Sequence, residues 1–177
     1  MRIVGGKYKS RRILTPTDLK ARPTTDFAKE GLFNVLNNMV DWSNTDALDL
    51  FSGTGSISFE LLSRGCSTVV SVEKNHKNWQ FINKTKQLLS AEDIYTINAD
   101  SFKYIDKCKS TFNLIFADPP YLMEEVDSLP SIILSKEILR PGGIFILEHS
   151  SKHDFQNQPN FKLMKKYGKV HFSFFEK

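Results

Sequence analysis

The tetrapeptide Asp118-Pro119-Pro120-Tyr121 puts a carboxylate, two residues without a backbone N–H and an aromatic ring in one short stretch. This set suits an exocyclic amine on a heteroaromatic ring. Such a nitrogen is a poor nucleophile, because its lone pair is delocalised into the ring. If the Asp118 carboxylate and the Pro119 carbonyl accept its two N–H bonds, the lone pair is turned towards an electrophile. The prolines fix φ and donate nothing, so the loop is rigid and rich in acceptors. Positioning of this kind can lower a barrier by several kcal/mol, and charge complementarity adds to it. Tyr121 offers a flat face to the same ring, at about 1–3 kcal/mol of stacking. Taken alone, Asp-Pro-Pro is also a plain strand-ending turn with Tyr121 a core aromatic.

A second chemical stretch lies upstream. Asp49-Leu50-Phe51-Ser52-Gly53-Thr54-Gly55 ends an apolar run and opens a helical one. Its glycines allow a tight turn and close approach of a ligand to the backbone, and the helix start offers unpaired N–H groups. Ser58 stands where a dinucleotide fingerprint has Gly or Ala. Glu73 follows Gly53 by 20 residues, the spacing at which a carboxylate accepts from ribose hydroxyls. Asp100 can accept from an adenine amino group, cap the next helix, or do both.

These groups need a frame, and the chain supplies one. Apolar or β-branched runs at 47–51, 68–72, 94–97, 112–117 and 144–147 alternate with helical patterns. The helices are expected from the Thr24-Thr25-Asp26 cap to about Asn38, from the glycine turn to Gly65, from Asn75 through Leu89, over Ser101–Lys107 and over Leu129–Leu139. Alternation of this kind predicts an α/β fold, a doubly wound Rossmann-like sheet covered on both faces. The last stretch, 161–167 and 170–175 around Gly168-Lys169, reads as an antiparallel hairpin, giving seven mostly parallel strands. All the acidic groups above then fall at carboxyl ends of strands, where ligands bind. Gly5-Gly6 between Ile3-Val4 and a basic stretch ending Ile13-Leu14 reads as a small hairpin. The expected division is a basic arm at 1–22 and one domain at 23–177, a usual size for 177 residues.

Charge is distributed unevenly. The net +4 conceals seven basic residues against Asp18 in 1–22, five lysines against Glu176 in 160–177, and a net −6 between them. That asymmetry favours an anionic partner, with lysines kept for solubility as the plainer explanation. Lys7, Lys9, Arg11 and Arg12, with Tyr8 among them, suit phosphate contact plus stacking; Arg22 with the Thr24–Asp26 cap either borders the cleft, meeting donor or base, or only starts a helix. Cys66 and Cys108 have no metal spacing and read as small apolar residues, so no metal is expected. His149 reads as structural or peripheral, and His76, His153 and His171 show no constellation. No apolar run approaches the ~18 residues of a membrane span, and the basic N-terminus lacks a secretory core. A cytoplasmic protein is expected.

Together these stretches resemble the RsmD family, which methylates guanine N2 in small-subunit ribosomal RNA. The resemblance rests on Arg2–Tyr8, Arg22–Asp26, Leu32-Phe33-Asn34, Asp49–Gly55, Leu62–Gly65, Val72-Glu73-Lys74, Asp118–Tyr121 and Gly142–Glu148. Phe27 stands where an arginine is common, Gly31 where alanine is usual and Ser58 where glycine is usual, and 150–177 matches loosely. The resemblance implies the class I methyltransferase fold with S-adenosylmethionine as donor and S-adenosylhomocysteine as product. It implies that Asp49, Phe51, Ser52, Gly53 and Gly55 cradle the methionine end, that Glu73 beside Lys74 takes the ribose, and that Asp100 with Phe102 takes the adenine. Asp118, Pro119, Pro120 and Tyr121 are then catalytic. The implied partner is 16S rRNA or a small-subunit assembly intermediate, with the enzyme a monomer and no membrane involved. Two alternatives stand beside it: a DNA adenine-N6 methyltransferase, for which 177 residues leave little room for target recognition, and a nucleotide- or RNA-binding module without catalysis. A dehydrogenase fits least, since nothing forms a second catalytic domain.

Overall fold

Five strands rich in Val, Ile, Leu and Phe pair side by side in parallel, in a computed structural model that describes residues 1–16 and 25–177. They are β1 (Asp46–Leu50), β2 (Thr68–Glu73), β3 (Ile94–Asn98), β4 (Phe112–Ala117) and β5 (Leu139–His149). The hairpin β6 (Phe161–Tyr167) and β7 (Val170–Glu176) closes the sheet, with β7 antiparallel to β5. The order is β3-β2-β1-β4-β5-β7-β6. Strand order therefore reverses between β1 and β4, where ligand crevices form in such sheets.

Helices α1 (Asp26–Leu36), α2 (Ser56–Arg64) and α3 (His76–Leu89) cover one face. Helices α4 (Ser101–Lys107) and α5 (Leu129–Ser135) cover the other. Local chemistry sets several boundaries. The Thr25 hydroxyl accepts from Ala28 N, Asn75 caps α3 and Asp100 caps α4. Each such cap contributes on the order of 1 kcal/mol.

One expected helix is shorter. The apolar pattern to Leu139 predicts a helix, yet α5 ends at Ser135 and Leu139 opens β5 opposite Phe112. Phe112 N donates to Ile138 O at 2.8 Å. The backbone groups of β4 need partners there, and that requirement outweighs the helical pattern. Pro141-Gly142-Gly143 consequently lies within β5, beside a register shift between Phe112 and Leu114.

The basic N-terminal segment packs as a hairpin against α2, with Arg2 bridged to Arg12. Ile3, Tyr8 and Ile13 are buried in the same core as α1 and α2. Burial of each contributes about 1.5–3 kcal/mol. The segment also satisfies polar groups on the outer side of α2: Val4 N donates to Glu60 Oε2 at 2.8 Å, and Tyr8 N to Ser63 Oγ at 2.8 Å. Lys29, fully buried, donates to Ser56 Oγ and to Arg2 O and faces Glu60. Burial lowers its pKa, opposed by the Glu60 charge. The boundary expected at residue 22 lies outside the described residues.

Gly31 is a glycine inside a helix, which costs about 1 kcal/mol relative to alanine. A Cβ there would lie 2.1 Å from Tyr167 Cε1. The missing methyl group lets β6 bring its last side chain against α1. Among the described residues, no helix is long and apolar enough to cross a membrane.

Candidate active site

Parallel register brings the chemical stretches into one row. Leu50 pairs with Val72 on one side and Ala117 on the other, and Glu73 pairs with Asn98. The residues that follow, Phe51, Glu73 and Asp118, therefore stand along one edge of the sheet. With strands about 4.8 Å apart, Glu73 and Asp118 lie on opposite sides of the β1 loop.

That loop is tightly held. Gly55 starts α2 with φ +76°, and a Cβ there would lie 3.0 Å from the Phe59 ring and 3.2 Å from Ile82. Both backbone conformation and space require glycine. Gly53 N donates to Glu73 Oε2 at 2.7 Å, and Asn75 N to Glu73 Oε1 at 2.6 Å. Glu73 thus fixes the loop, and with the Asn78 side chain and Lys74 N also donating to it, four donors of its own chain surround the carboxylate. Burial pushes its pKa up, and these N–H donors pull the other way.

Asp49 is placed differently from the expectation that it joins the donor cradle. Its side chain points beneath the loop into the α1–α3 layer and is 1% exposed. It contacts Ser58 Oγ at 2.5 Å; Ser58 Oγ contacts Ser71 Oγ at 2.9 Å, Ser71 Oγ contacts Ser52 Oγ at 2.9 Å, and Ser52 donates to Val72 O at 2.9 Å. Four contacts need four protons, and three hydroxyls carry three. The chain is complete when Asp49 holds the fourth. Burial raises its pKa to about 7; hydrogen bonds from the Ser58 hydroxyl and N–H oppose the rise, and the Glu73 and Glu148 charges add to it. This network also accounts for Ser58 in place of a glycine.

Of the two roles open to Asp100, the structure shows the helix cap. It caps α4 through Phe102 N at 3.1 Å and Lys103 N at 3.3 Å, and its other oxygen meets Lys74 Nζ at 3.1 Å. Lys74 holds its pKa below the usual range. Phe102 meets Phe51 edge to face, centroids 6.0 Å apart. A cleft of about 450 Å³ opens beside them, lined by Lys74, Asn98, Ala99, Asp100, Lys103 and Tyr104.

The turn at 118–121 leaves β4 directly. Asp118 N points to Leu50 O at 3.4 Å, and Met123 N donates to Pro120 O at 2.9 Å. Pro119 is buried, Asp118 and Tyr121 are half-buried, and Pro120 and Leu122 are exposed. The acceptor-rich turn is thus anchored to β1 and open on one side.

The basic arm divides in two. Lys7 N donates to Ser63 O at 2.6 Å, so the turn carrying Lys7 and Lys9 lies at the end of α2 away from the crevice. Arg12, opposite Arg2, lies at the crevice end, because Arg2 O meets Lys29, which also reaches Ser56 at the start of α2. Arg11 is exposed beside it. Tyr8 is 7% exposed, with Lys7 over its ring at 5.2 Å. It presents no free face for a base, which corrects the expected stacking role; core packing claims the ring. Arg22 lies outside the described residues.

Two strands and a loop bring three of the histidines together, which spacing does not reveal. His149 is buried; its Nε2 meets Ser173 Oγ at 2.8 Å and its ring lies 5.6 Å from His171 and 6.2 Å from His153. Burial lowers its pKa to about 4. The neutral ring packs against Phe155. Of the structural or peripheral placement expected for His149, burial at the centre of this group leaves the first. Among the described residues no group of side chains could hold a metal ion.

A seven-stranded sheet with its last strand pair antiparallel, a glycine loop after β1, an acidic residue ending β2 and Asp-Pro-Pro-Tyr after β4 together define the class I methyltransferase fold, whose donor is S-adenosylmethionine. The family described as conserved hypothetical protein 95 matches residues 1–176, and the chain belongs to this family, that of the RsmD methyltransferases. It is 31% identical to a putative rRNA methyltransferase, YlbH, of Bacillus subtilis over 84% of this chain and 82% of that protein. It is 28% identical to ribosomal RNA small subunit methyltransferase D of Buchnera aphidicola, over 99% of this chain and 91% of the relative. Among solved structures, a putative methyltransferase of Escherichia coli, YhhF, superposes with a TM-score of 0.86 at 23% identity, covering 100% of this chain and 97% of that one.

Proposed function

We infer that this protein is an rRNA methyltransferase that transfers a methyl group from S-adenosylmethionine to the 2-amino group of a guanine in 16S ribosomal RNA. The observation that carries the reading is the Asp118–Tyr121 turn anchored to β1 beside the Gly53–Gly55 loop. The family membership and the rRNA methyltransferases among its relatives support it.

The crevice residues fit the donor. The loop after β1 turns through left-handed glycines at Gly53 and Gly55, which brings its backbone to the crevice edge, Glu73 ends β2 where ribose hydroxyls bind, and Phe51 with Phe102 and Asp100 suits the adenine. When bound, S-adenosylmethionine supplies an electrophilic methyl group. The chain orients the acceptor: Asp118 and the Pro119 carbonyl accept the two amine N–H bonds, which draws the nitrogen towards a pyramidal shape and localises its lone pair, aimed at the methyl group. Tyr121 stacks on the base. Positive charge that develops on the nitrogen meets the Asp118 carboxylate, which costs no reorganisation because the loop is already rigid.

The test is transfer of a tritiated methyl group to small subunits, and to 16S rRNA, from a strain lacking the gene, followed by mapping of the modified nucleotide. Label at guanine N2 is the expected result. Absence of label in every assembly state, or label on adenine of duplex DNA, overturns the reading.

Glu73→Ala is expected to weaken binding of S-adenosylhomocysteine by about 1–3 kcal/mol, the cost of unpaired hydroxyls; calorimetry reads it directly. Neutralising Arg11 and Arg12 lowers the slope of log affinity against log salt by about 0.7 for each single-strand phosphate that the arm then leaves unneutralised. Neutralising Lys7 and Lys9 leaves the slope unchanged, since their turn faces away from the crevice. Equal effects from both pairs in filter binding contradict that division of the arm.

A further inference from the structure

The β6–β7 hairpin turn lies on the crevice edge of the sheet. His149, at the carboxyl end of β5, pairs with His171 near the start of β7, and His171 pairs with Lys166 near the end of β6. The turn Gly168-Lys169 therefore projects from the same edge as Asp118. Three interstrand spacings separate them, about 14 Å across the sheet, a span that nucleotides flanking a bound target can cover.

At this corner the structure supports an aromatic ring from behind. Phe27, in the first turn of α1, is 70% exposed. Its ring stands edge-on to Tyr167, centroids 5.7 Å apart at 80°. Tyr167 reaches that position because Gly31 has no side chain. A single exposed apolar residue needs no explanation; one seated on a second ring, in space that a helix-interior glycine vacates, is a built feature.

Three lysines carry charge at this end of β6 and in its turn. Lys165 lies on the α1 side of β6, Lys166 on the opposite side facing His171, and Lys169 in the turn; all three are exposed. Among the described residues none of them forms an ion pair, whereas Lys162 at the other end of β6 pairs with Glu176. Glu30 is the one carboxylate lining the groove between α1 and β6. Lysines on an edge strand can serve to block strand pairing. Lys169 stands outside the ladder, in the turn, where that purpose does not apply.

We propose that this corner binds an unpaired stretch of RNA flanking the target nucleotide, with one base stacked on Phe27 and neighbouring phosphates held by Lys165, Lys166 and Lys169. A flat exposed ring beside a strand end and turn that carry unpaired lysines suits single-strand binding without base readout. The proposal rests on the rRNA reading above and adds the surface that carries the substrate to Asp118.

The experiment is filter binding of the full chain to 16S rRNA, to a short single-stranded oligoribonucleotide and to a blunt RNA duplex, over a salt series. Phe27→Ala is expected to weaken single-strand binding about 5- to 150-fold with the salt slope unchanged, and Phe27→Trp to restore it. The triple variant K165Q/K166Q/K169Q is expected to lower the slope by about 2, while K162Q leaves it alone. Thermal unfolding and S-adenosylhomocysteine binding at wild-type levels show that the variants are folded. Wild-type affinity and slope in both variants, or equal losses on duplex and single strand, overturn the proposal. Methylation of rRNA by the wild-type chain is scored separately: its failure removes the rRNA reading, while the oligoribonucleotide data still decide whether the corner binds RNA.

Discussion

Asp118→Ala is expected to lose about 10²–10³-fold in methyl-transfer turnover, the usual cost of removing one preorganised group that faces developing charge. Donor affinity is expected to stay at the wild-type value. The two effects separate because Asp118 leaves β4 on one side of the β1 loop, while Glu73 holds Gly53 N from the other. Asp118→Asn is the sharper companion. It keeps the size of the side chain and one acceptor oxygen, but it replaces a charge with a dipole, so it retains more activity than alanine and less than wild type. Single-turnover methylation with saturating donor, alongside calorimetry with S-adenosylhomocysteine, distinguishes the outcomes. Equal loss of donor binding in Asp118→Ala and Glu73→Ala shows that the division of roles is wrong.

Asp49→Asn is expected to change how stability depends on pH. In the unfolded chain this carboxyl has its ordinary value of 3.8; in the fold burial raises it to about 7. Below pH 3.8 both states hold the proton and nothing is lost. Between 3.8 and 7 the unfolded chain releases the proton while the folded one keeps it, so stability falls as pH rises. Above 7 the loss is complete, on the order of 4 kcal/mol. Asparagine places an N–H donor where the protonated acid has O–H, so the Ser58–Ser71–Ser52 chain stays satisfied at every pH. The variant therefore gains on the wild type as pH rises from 5 to 8.5, and the difference is largest at the alkaline end. Denaturant unfolding at several pH values measures it. Parallel curves for the two proteins mean that Asp49 is ionised in the fold and that the serine chain is arranged otherwise.

Both predictions concern carboxylates visible in the sequence, yet the sequence served them unequally. Asp118 was legible, because Pro119 and Pro120 restrict the backbone wherever they occur and an apolar strand precedes them. Asp49 was legible only as a member of a glycine-rich stretch. Whether its oxygens face the crevice or the helices depends on which face of β1 meets α2, and that is set by packing. Boundaries show the same contrast. Ser101–Lys107 and Phe112–Ala117 form as expected, since Asp100 caps the helix and β-favouring apolar residues fill the strand. The 129–139 helix did not, because Leu139 answers a backbone partner on β4 that no local pattern reveals.

Local pattern was enough for the order of strands and helices, the antiparallel closing hairpin, the glycine loop with Glu73 and the acceptor-rich turn at 118–121. Those follow from periodicity, φ preferences and cap chemistry, which act over a few residues. Contacts between distant segments decided the remainder. Tyr8 entered the core and left Arg11 and Arg12 as the crevice end of the basic arm. Asp49 joined a chain of three serines, from α2, β2 and the loop after β1. Phe27 was seated on Tyr167, 140 positions away in the chain, because Gly31 left room. Burial and ring contacts of this kind exist only once the sheet has formed, since closing such long loops yields nothing until the packing that stabilises them is in place.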